Sequence, residues 1–115
     1  MNNSIGRSRW KIVLIACCLF SAGCSESAVP VTLEVLVAQQ ASFDGQRVST
    51  SGTLRAFESP HHVWIEDAGL NRVELRPVEG LAEHVGQRVD VVGRFSFAAD
   101  VGRRIQLESL APATD

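Results

Sequence analysis

The chain has 115 residues and a formal net charge of −2, and this small balance joins two unlike parts. The segment before Cys24 carries three basic and no acidic residues, whereas the segment from Ser25 onward carries eight arginines, no lysine and all thirteen acidic residues, a charge of −5. This length holds one domain at most. An acidic domain lacks the basic surface with which proteins usually follow a phosphate backbone, so we do not expect a nucleic-acid partner.

The first 23 residues have the layout of a secretory signal. A polar, basic start is followed by an almost unbroken apolar run over Ile12–Phe20, which is too short to span a bilayer as a permanent helix. Small residues then lead to Cys24. The sequence Ser21-Ala22-Gly23-Cys24 resembles the lipobox of bacterial lipoproteins, although Ser21 stands where that family prefers an aliphatic residue.

The lipobox resemblance implies a signal peptide over residues 1–23, an acylated Cys24 and a tether over residues 24–31. Several acyl chains would hold the protein firmly to membrane lipid. Ser25 stands where an aspartate would retain a lipoprotein of Gram-negative bacteria in the inner membrane, which implies the outer membrane and a domain that faces the periplasm. Two other readings remain: acylation at Cys17, which would leave a very short hydrophobic core, and an ordinary signal peptide with a chance cysteine.

The first predicted element of the domain is a short helix over Thr32–Gln40. Leu33, Leu36 and Val37 follow the spacing of a helix face, and Thr32 is placed to cap its first turn. The alternation of Val35 and Val37 leaves an edge strand as the alternative. As a helix, this segment is expected to cover one end of a barrel.

A repeated phrase follows this helix. Gly45-Gln46-Arg47-Val48, with Gly52 beyond it, returns as Gly86-Gln87-Arg88-Val89, with Gly93 beyond it. Each copy runs from a tight turn into alternating apolar residues, which predicts a strand. A glycine inside such a strand marks a bulge or a bend, so both strands are expected to curl.

Three further strands surround the second copy. Alternation predicts strands over His62–Glu66 and Arg72–Arg76, joined by a turn, and a last strand over Arg104–Glu108. Val78–Val85 is predicted to form one or two helical turns. Three strands, a short helix and two strands are the order of the OB-fold, a five-stranded Greek-key barrel.

The same residues resemble bacterial exported OB-fold proteins whose barrel is of the anticodon-binding type. The resemblance rests on the two glycine phrases, on Val63-Trp64-Ile65-Glu66-Asp67 and on Arg72-Val73-Glu74-Leu75, and it covers about Phe43 to Leu110. It implies an all-β fold with one or two short helices over residues 32–110, followed by a flexible tail over residues 111–115. The shared positions are turns and core, so no ligand residue is carried over.

OB-folds bind their ligands on the outer face of the second and third strands. In this chain that face is predicted to present Arg55, Trp64, Glu66, Arg72, Glu74 and Arg76. Trp64 is equally compatible with a half-buried position against a loop. Phe57 either extends the face or packs under the next loop.

His61 and His62 are the candidate metal ligands. Adjacent residues of a strand point to opposite faces, so we do not expect a metal site there, and no cofactor or catalytic motif is present. The sequence therefore predicts a lipid-anchored, non-enzymatic binding module for a protein or another component of the cell envelope. The alternative is an OB-fold domain that binds a small ligand or nucleic acid.

Overall fold

The computed structural model describes residues 27–58 and 61–114, and the predicted signal segment and Cys24 lie outside this part of the chain. Two short helices, α1 (Leu33–Ala38) and α2 (Gln40–Phe43), precede most of the sheet, and a single 3₁₀ turn spans Ala82–His84. No helix among the described residues is long and apolar enough to cross a membrane. The strands are β1 (Val29–Pro30), β2 (Arg47–Glu58), β3 (His61–Glu66), β4 (Arg72–Arg76), β5 (Arg88–Ala98) and β6 (Gly102–Pro112).

Strands β2 to β6 close into a barrel. Their order around it is β2-β3-β4-β6-β5, and β5 returns to pair with β2. The long strand β2 makes this closure possible, because residues 47–53 pair with β5 and residues 53–58 pair with β3. All neighbouring pairs are antiparallel except β4 and β6. This is the predicted five-stranded OB-fold, to which β1 adds a short parallel pairing on β2.

The two copies of the repeated phrase lie side by side and are related by a local two-fold axis. Thr50 and Val91 are equivalent positions of the two copies, and they pair with each other. From this pair the register runs symmetrically in both directions, to Arg47 opposite Arg94 and to Thr53 opposite Arg88, so the two-fold axis passes through Thr50 and Val91. The turns obey the same symmetry: the Gly45 N–H donates to the carbonyl of Phe95, and the Gly86 N–H donates to the carbonyl of Leu54, each over 2.8 Å. The repeat in the sequence is therefore a repeat in the barrel.

The core consists of the alternate residues that the pattern predicts. Thr50 and Gly52 are buried together with the apolar positions of β2, and α1 adds two leucines at the end of the barrel. The N-cap prediction is confirmed, since Val35 N–H donates to Thr32 Oγ1 over 3.3 Å. The buried apolar residues are Leu33, Leu36, Val48, Leu54, Val63, Ile65, Val73, Leu75, Leu81, Val89, Val91, Phe95 and Ile105.

The ordered domain extends beyond its predicted bounds at both ends. Strand β1 lies within residues 24–31, which were predicted to form a tether. The Val31 N–H donates to the Ser49 carbonyl and continues the pairing of β1 with β2. At the other end β6 runs to Pro112, and Ala113 N–H donates to the Arg88 carbonyl. Between β4 and β5 the predicted helical turns reduce to the 3₁₀ turn, and Val85 is exposed beside the buried Leu81.

Candidate binding face on strands β3 and β4

The register of four strands aligns outward-facing side chains in a row across the barrel. Arg55 of β2 lies opposite Trp64 of β3, Trp64 lies opposite Glu74 of β4, and Glu74 lies opposite Arg104 of β6. Residues on either side of this row point the same way, because alternate residues of a strand share a face. We call this set the arginine face, to which Arg103 is added because it donates to the Arg72 carbonyl at the edge of the row although its strand position points the other way: Arg55, Phe57, His62, Trp64, Glu66, Arg72, Glu74, Arg76, Arg103 and Arg104.

Glu66 is the centre of the first cluster on the arginine face. Its two carboxylate oxygens accept hydrogen bonds from Arg55 Nε over 3.2 Å, from Arg72 Nε over 3.0 Å and from the Trp64 indole N–H over 3.0 Å. The Arg72 guanidinium also lies above the Trp64 ring, 5.4 Å from its centroid, which is a cation–π distance. Trp64 is thus half-buried, with its polar edge and one ring face already occupied by neighbours.

Glu74 is the centre of the second cluster. Its Oε1 accepts from Arg104 Nε and Nη2 over 3.3 and 3.1 Å, and its Oε2 lies 3.2 Å from Arg76 Nη2 and 3.1 Å from His62 Nδ1. The ion pairs with Arg76 and Arg104 are partly shielded, since the Glu74 side chain is only 17% exposed. Three side chains, one each from β3, β4 and β6, therefore meet on one carboxylate.

These contacts keep both carboxylates ionised. The hydrogen bond from Trp64 is the largest influence on the pKa of Glu66 and lowers it, and Arg55 and Arg72 add to that effect against a smaller opposing contribution from burial. Burial is the largest single influence on the pKa of Glu74 and acts to raise it. The hydrogen bonds from His62 and Arg104 and the charges of Arg76 and Arg104 together outweigh burial, so the pKa of Glu74 is lowered.

An open groove of about 410 Å³ runs over the arginine face at Trp64. Phe57 and Val101 form its apolar walls and are 60% and 52% exposed. Arg72 and Arg103 stand on its rim, and Arg103 is held there by hydrogen bonds to the Arg72 carbonyl and to Gln40 of α2. The groove therefore has apolar walls at Phe57 and Val101 and arginines on its rim.

The larger hollow between α1 and strands β2 and β5, of about 940 Å³, shares no residue with the groove. Its charged lining is mostly acidic, with Glu34, Asp67 and Asp90 against Arg88. Asp90 is already bonded to the Ser51 hydroxyl over 2.6 Å, and Asn71 bonds both oxygens of Asp67. Asp67 and Asp90 are thus already hydrogen-bonded to neighbouring side chains, so we place the candidate site at the groove over Trp64.

The structure brings all six predicted residues onto one face and adds members that the sequence did not indicate. Phe57 extends the face and is not packed under a loop. His62, considered above as a metal ligand, pairs with Glu74, and no group of three or more metal-ligating side chains occurs among residues 27–58 and 61–114. Arg104 was missed because it reaches the face through the parallel pairing of β6 with β4, which local alternation does not reveal. Arg103 joins it by donating to the Arg72 carbonyl, a contact between residues far apart in the sequence.

Comparison with known proteins supports the fold. No protein-family model and no curated protein sequence matches the chain. Among solved structures, a chain from the S. pombe Stn1-Ten1 complex is similar with a TM-score of 0.57 and 17% identity, over 77% of this chain and 79% of that chain. A likeness at this identity shows the shared OB-fold.

The comparison and the local charge correct our expectation that nucleic acid is no partner. The chain has the same barrel fold as the matched chain of the Stn1-Ten1 complex. OB-folds bind oligonucleotides on the face that corresponds to β3 and β4. The expectation was derived from the net charge of the whole segment after Cys24. The arginine face, however, carries five arginines against Glu66 and Glu74, so it is positive although the domain is acidic.

Proposed function

We propose that this chain is a lipid-anchored, non-catalytic OB-fold module of the bacterial cell envelope that binds a protein or another envelope component on the arginine face. The observation that carries the proposal is the groove over Trp64, where exposed apolar side chains lie beside fixed arginines. Exposed apolar surface with a charged rim is typical of a surface that another molecule covers.

The anchor part of the proposal rests on the sequence. The pattern Ser21-Ala22-Gly23-Cys24 follows a basic start and an apolar run, and Ser25 favours the outer membrane where the cell has one. Strand β1 begins at Val29, so an acylated Cys24 would hold the barrel close to the lipid surface. A module on so short a tether would meet partners that are themselves in or near the membrane.

A second candidate function is the binding of single-stranded nucleic acid or of a small ligand. Two aromatic rings, Phe57 and Trp64, lie in one groove with arginines, and this combination is used by OB-folds that stack bases. Such binding would weaken steeply with added salt, whereas a partner held mainly by apolar contacts would be much less sensitive.

Site-specific photo-crosslinking in cells tests both candidates. The crosslinker replaces Phe57, which is 60% exposed in the groove, and a control replaces Val85, which is 44% exposed and does not line the groove. We expect one dominant envelope protein to be captured from position 57 and not from position 85. Capture of nucleic acid from position 57 would favour the second candidate, and equal capture from both positions would refute a binding role for the arginine face.

A further inference from the structure

The arginines of the arginine face have hydrogen-bond donors to spare. A guanidinium carries five N–H groups. Arg55 and Arg72 each give one of them to Glu66, Arg76 gives one to Glu74 and Arg104 gives two. Apart from the buried Nε of Arg76, the remaining donors can therefore bind a further anionic group without breaking the contacts that hold the side chains in place.

The two carboxylates lie deeper than the arginines around them. The Glu66 and Glu74 side chains are 12% and 17% exposed, whereas those of Arg55 and Arg72 are about half exposed. An approaching molecule meets guanidinium groups first. Glu66 and Glu74 thus reduce the charge of the arginine face while they fix the direction of its arginines, and fixed donors lose less entropy on binding.

We propose that the arginine face binds an acidic segment of a polypeptide and that Glu66 and Glu74 are positioning residues for this binding. This inference rests on the proposed function and names the chemistry of its partner. Carboxylates match the planar donors of a guanidinium, and Glu74 Oε1 already accepts from both Nε and Nη2 of Arg104. The walls at Phe57 and Val101 would take an apolar side chain of the same segment.

The aromatic groups favour a peptide over a nucleic acid. Base stacking needs several free ring faces along the groove. Arg72 covers one face of Trp64, whose N–H is bonded to Glu66, so Phe57 is the freely exposed ring in the groove as far as residues 27–58 and 61–114 show. A short acidic segment, by contrast, needs only the arginine donors and an apolar contact at Phe57.

The positioning role of the carboxylates predicts the direction in which their removal changes the affinity for an anion. Glu74→Gln removes a negative charge, and on net charge alone it would strengthen the binding of any anion. If Glu74 positions Arg76 and Arg104, the same change weakens binding by about threefold, because it removes the partly exposed ion pairs that hold these two arginines. Glu83→Gln is the matched control, because it makes the same change of charge at an exposed residue outside the arginine face.

Trp64 itself can report the binding. Trp10 and Trp64 are the two tryptophans of the chain, so a full-length Trp10→Phe protein in neutral detergent fluoresces from the groove alone. The probes are a short peptide in which glutamates flank two phenylalanines, its analogue with glutamine for glutamate, and an oligothymidylate. We expect the acidic peptide to change the fluorescence at the lowest concentration and the glutamine analogue to have little effect.

The arginine Nε–Hε NMR signals show whether positioning is the cause. In Glu74→Gln the signal of Arg104 should broaden or move, because its Nε donates to Glu74, while that of Arg55 should remain. Glu66→Gln should do the reverse and provides a second variant if Glu74→Gln fails to fold. Thermal melting of each variant separates a loss of folding from a loss of binding.

Each outcome decides one part of the proposal. Tighter peptide binding by Glu74→Gln, of the size seen for Glu83→Gln, would overturn the positioning role. Binding of oligothymidylate but not of the acidic peptide would overturn the peptide as the partner and leave the arginine face as a binding site. Absence of any response, or a response that Arg72→Gln leaves unchanged, would overturn this inference, whereas failure of the proposed function would show as equal crosslinking from positions 57 and 85.

Discussion

Replacement of Gly93 by alanine is expected to destabilise the barrel more than the same change at Gly52. Gly93 lies opposite the bulge of β6, where the pairing passes from Ser109 to Leu107 and leaves Glu108 out of the ladder. A Cβ atom there would stand 2.2 Å from the carbonyl oxygen of Gln106, 2.9 Å from its carbonyl carbon and 2.7 Å from Ile105 Cγ2. Two of these atoms are backbone of the paired strand, so the clash can be relieved only if β5 and β6 separate locally.

The expected cost at Gly93 follows from three contributions. Overpacking costs about 1–3 kcal/mol, and the loss of a ladder hydrogen bond adds about 1 kcal/mol. The lower entropy of an unfolded chain with alanine offsets about 0.5 kcal/mol of this. The sum is about 1.5–3.5 kcal/mol, which lowers the melting temperature of a domain of this size by about 6–28 °C.

Gly52 provides the comparison. A Cβ atom there would lie 2.8 Å from Leu33 Cδ1, the flexible end of a side chain of α1, and 3.1 Å from Glu66 O and Ile65 Cβ. A small shift of α1 relieves the closest contact, so we expect a cost of about 1 kcal/mol. Gly69→Ala is the control for the change of residue type, since it would meet only side-chain ends of Asn71 and Asp67, at 3.3 and 3.5 Å.

Urea unfolding followed by Trp64 fluorescence and by circular dichroism measures these differences. The order of stability is expected to be Gly69→Ala, then Gly52→Ala, then Gly93→Ala as the least stable. A Gly93→Ala protein within about 0.5 kcal/mol of the parent, or one more stable than Gly52→Ala, would show that the bend of β5 does not depend on the close approach of β6.

Three further predictions concern other parts of the chain. Thr50→Val should stabilise the domain by about 1 kcal/mol in thermal melts, because Thr50 Oγ1 is buried with no hydrogen-bond partner in the described structure. Valine should fit there, since Val91 fills the symmetric position, and an unchanged or lower melting temperature would indicate a bound water. Cys24→Ser should abolish labelling with a radioactive fatty acid, and persistent label would move the lipid to Cys17. Because the folded-state pKa of Glu74 is lowered, its stabilisation should be complete above the ordinary pKa of 4.5 and decline as the pH falls below it, and Glu74→Gln should remove this part of the acid sensitivity.

The barrel could be predicted because each strand and turn is determined by residues that are adjacent in the sequence. Buried Val63 and Ile65 alternate with outward Trp64 and Glu66, and the burial of each residue depends on its neighbours one position away. The cap at Thr32 and the two glycine turns are likewise set by a few adjacent residues. Five such strands with a short helical link leave few topologies, and the OB-fold order was the one observed.

The composition of the arginine face was less predictable because it depends on non-local pairing. Glu74 and Arg104 are thirty residues apart and meet only because β4 runs parallel to β6. The sequence analysis used the net charge of −5 after Cys24 and predicted an acidic domain. The structure shows two carboxylates beneath a layer of arginines, so the sign of the local surface differs from that of the domain.

The local two-fold axis through Thr50 and Val91 bears on how the chain avoids exchange between molecules. Each repeat pairs with its equivalent in nearly the same register that two copies of one repeat would adopt. Strand β2 of one molecule could therefore pair with β2 of a neighbour in a similar register. The chain that links β2 to β5 through β3 and β4 keeps these two strands at a high local concentration, which favours the pairing within one molecule over a pairing between molecules.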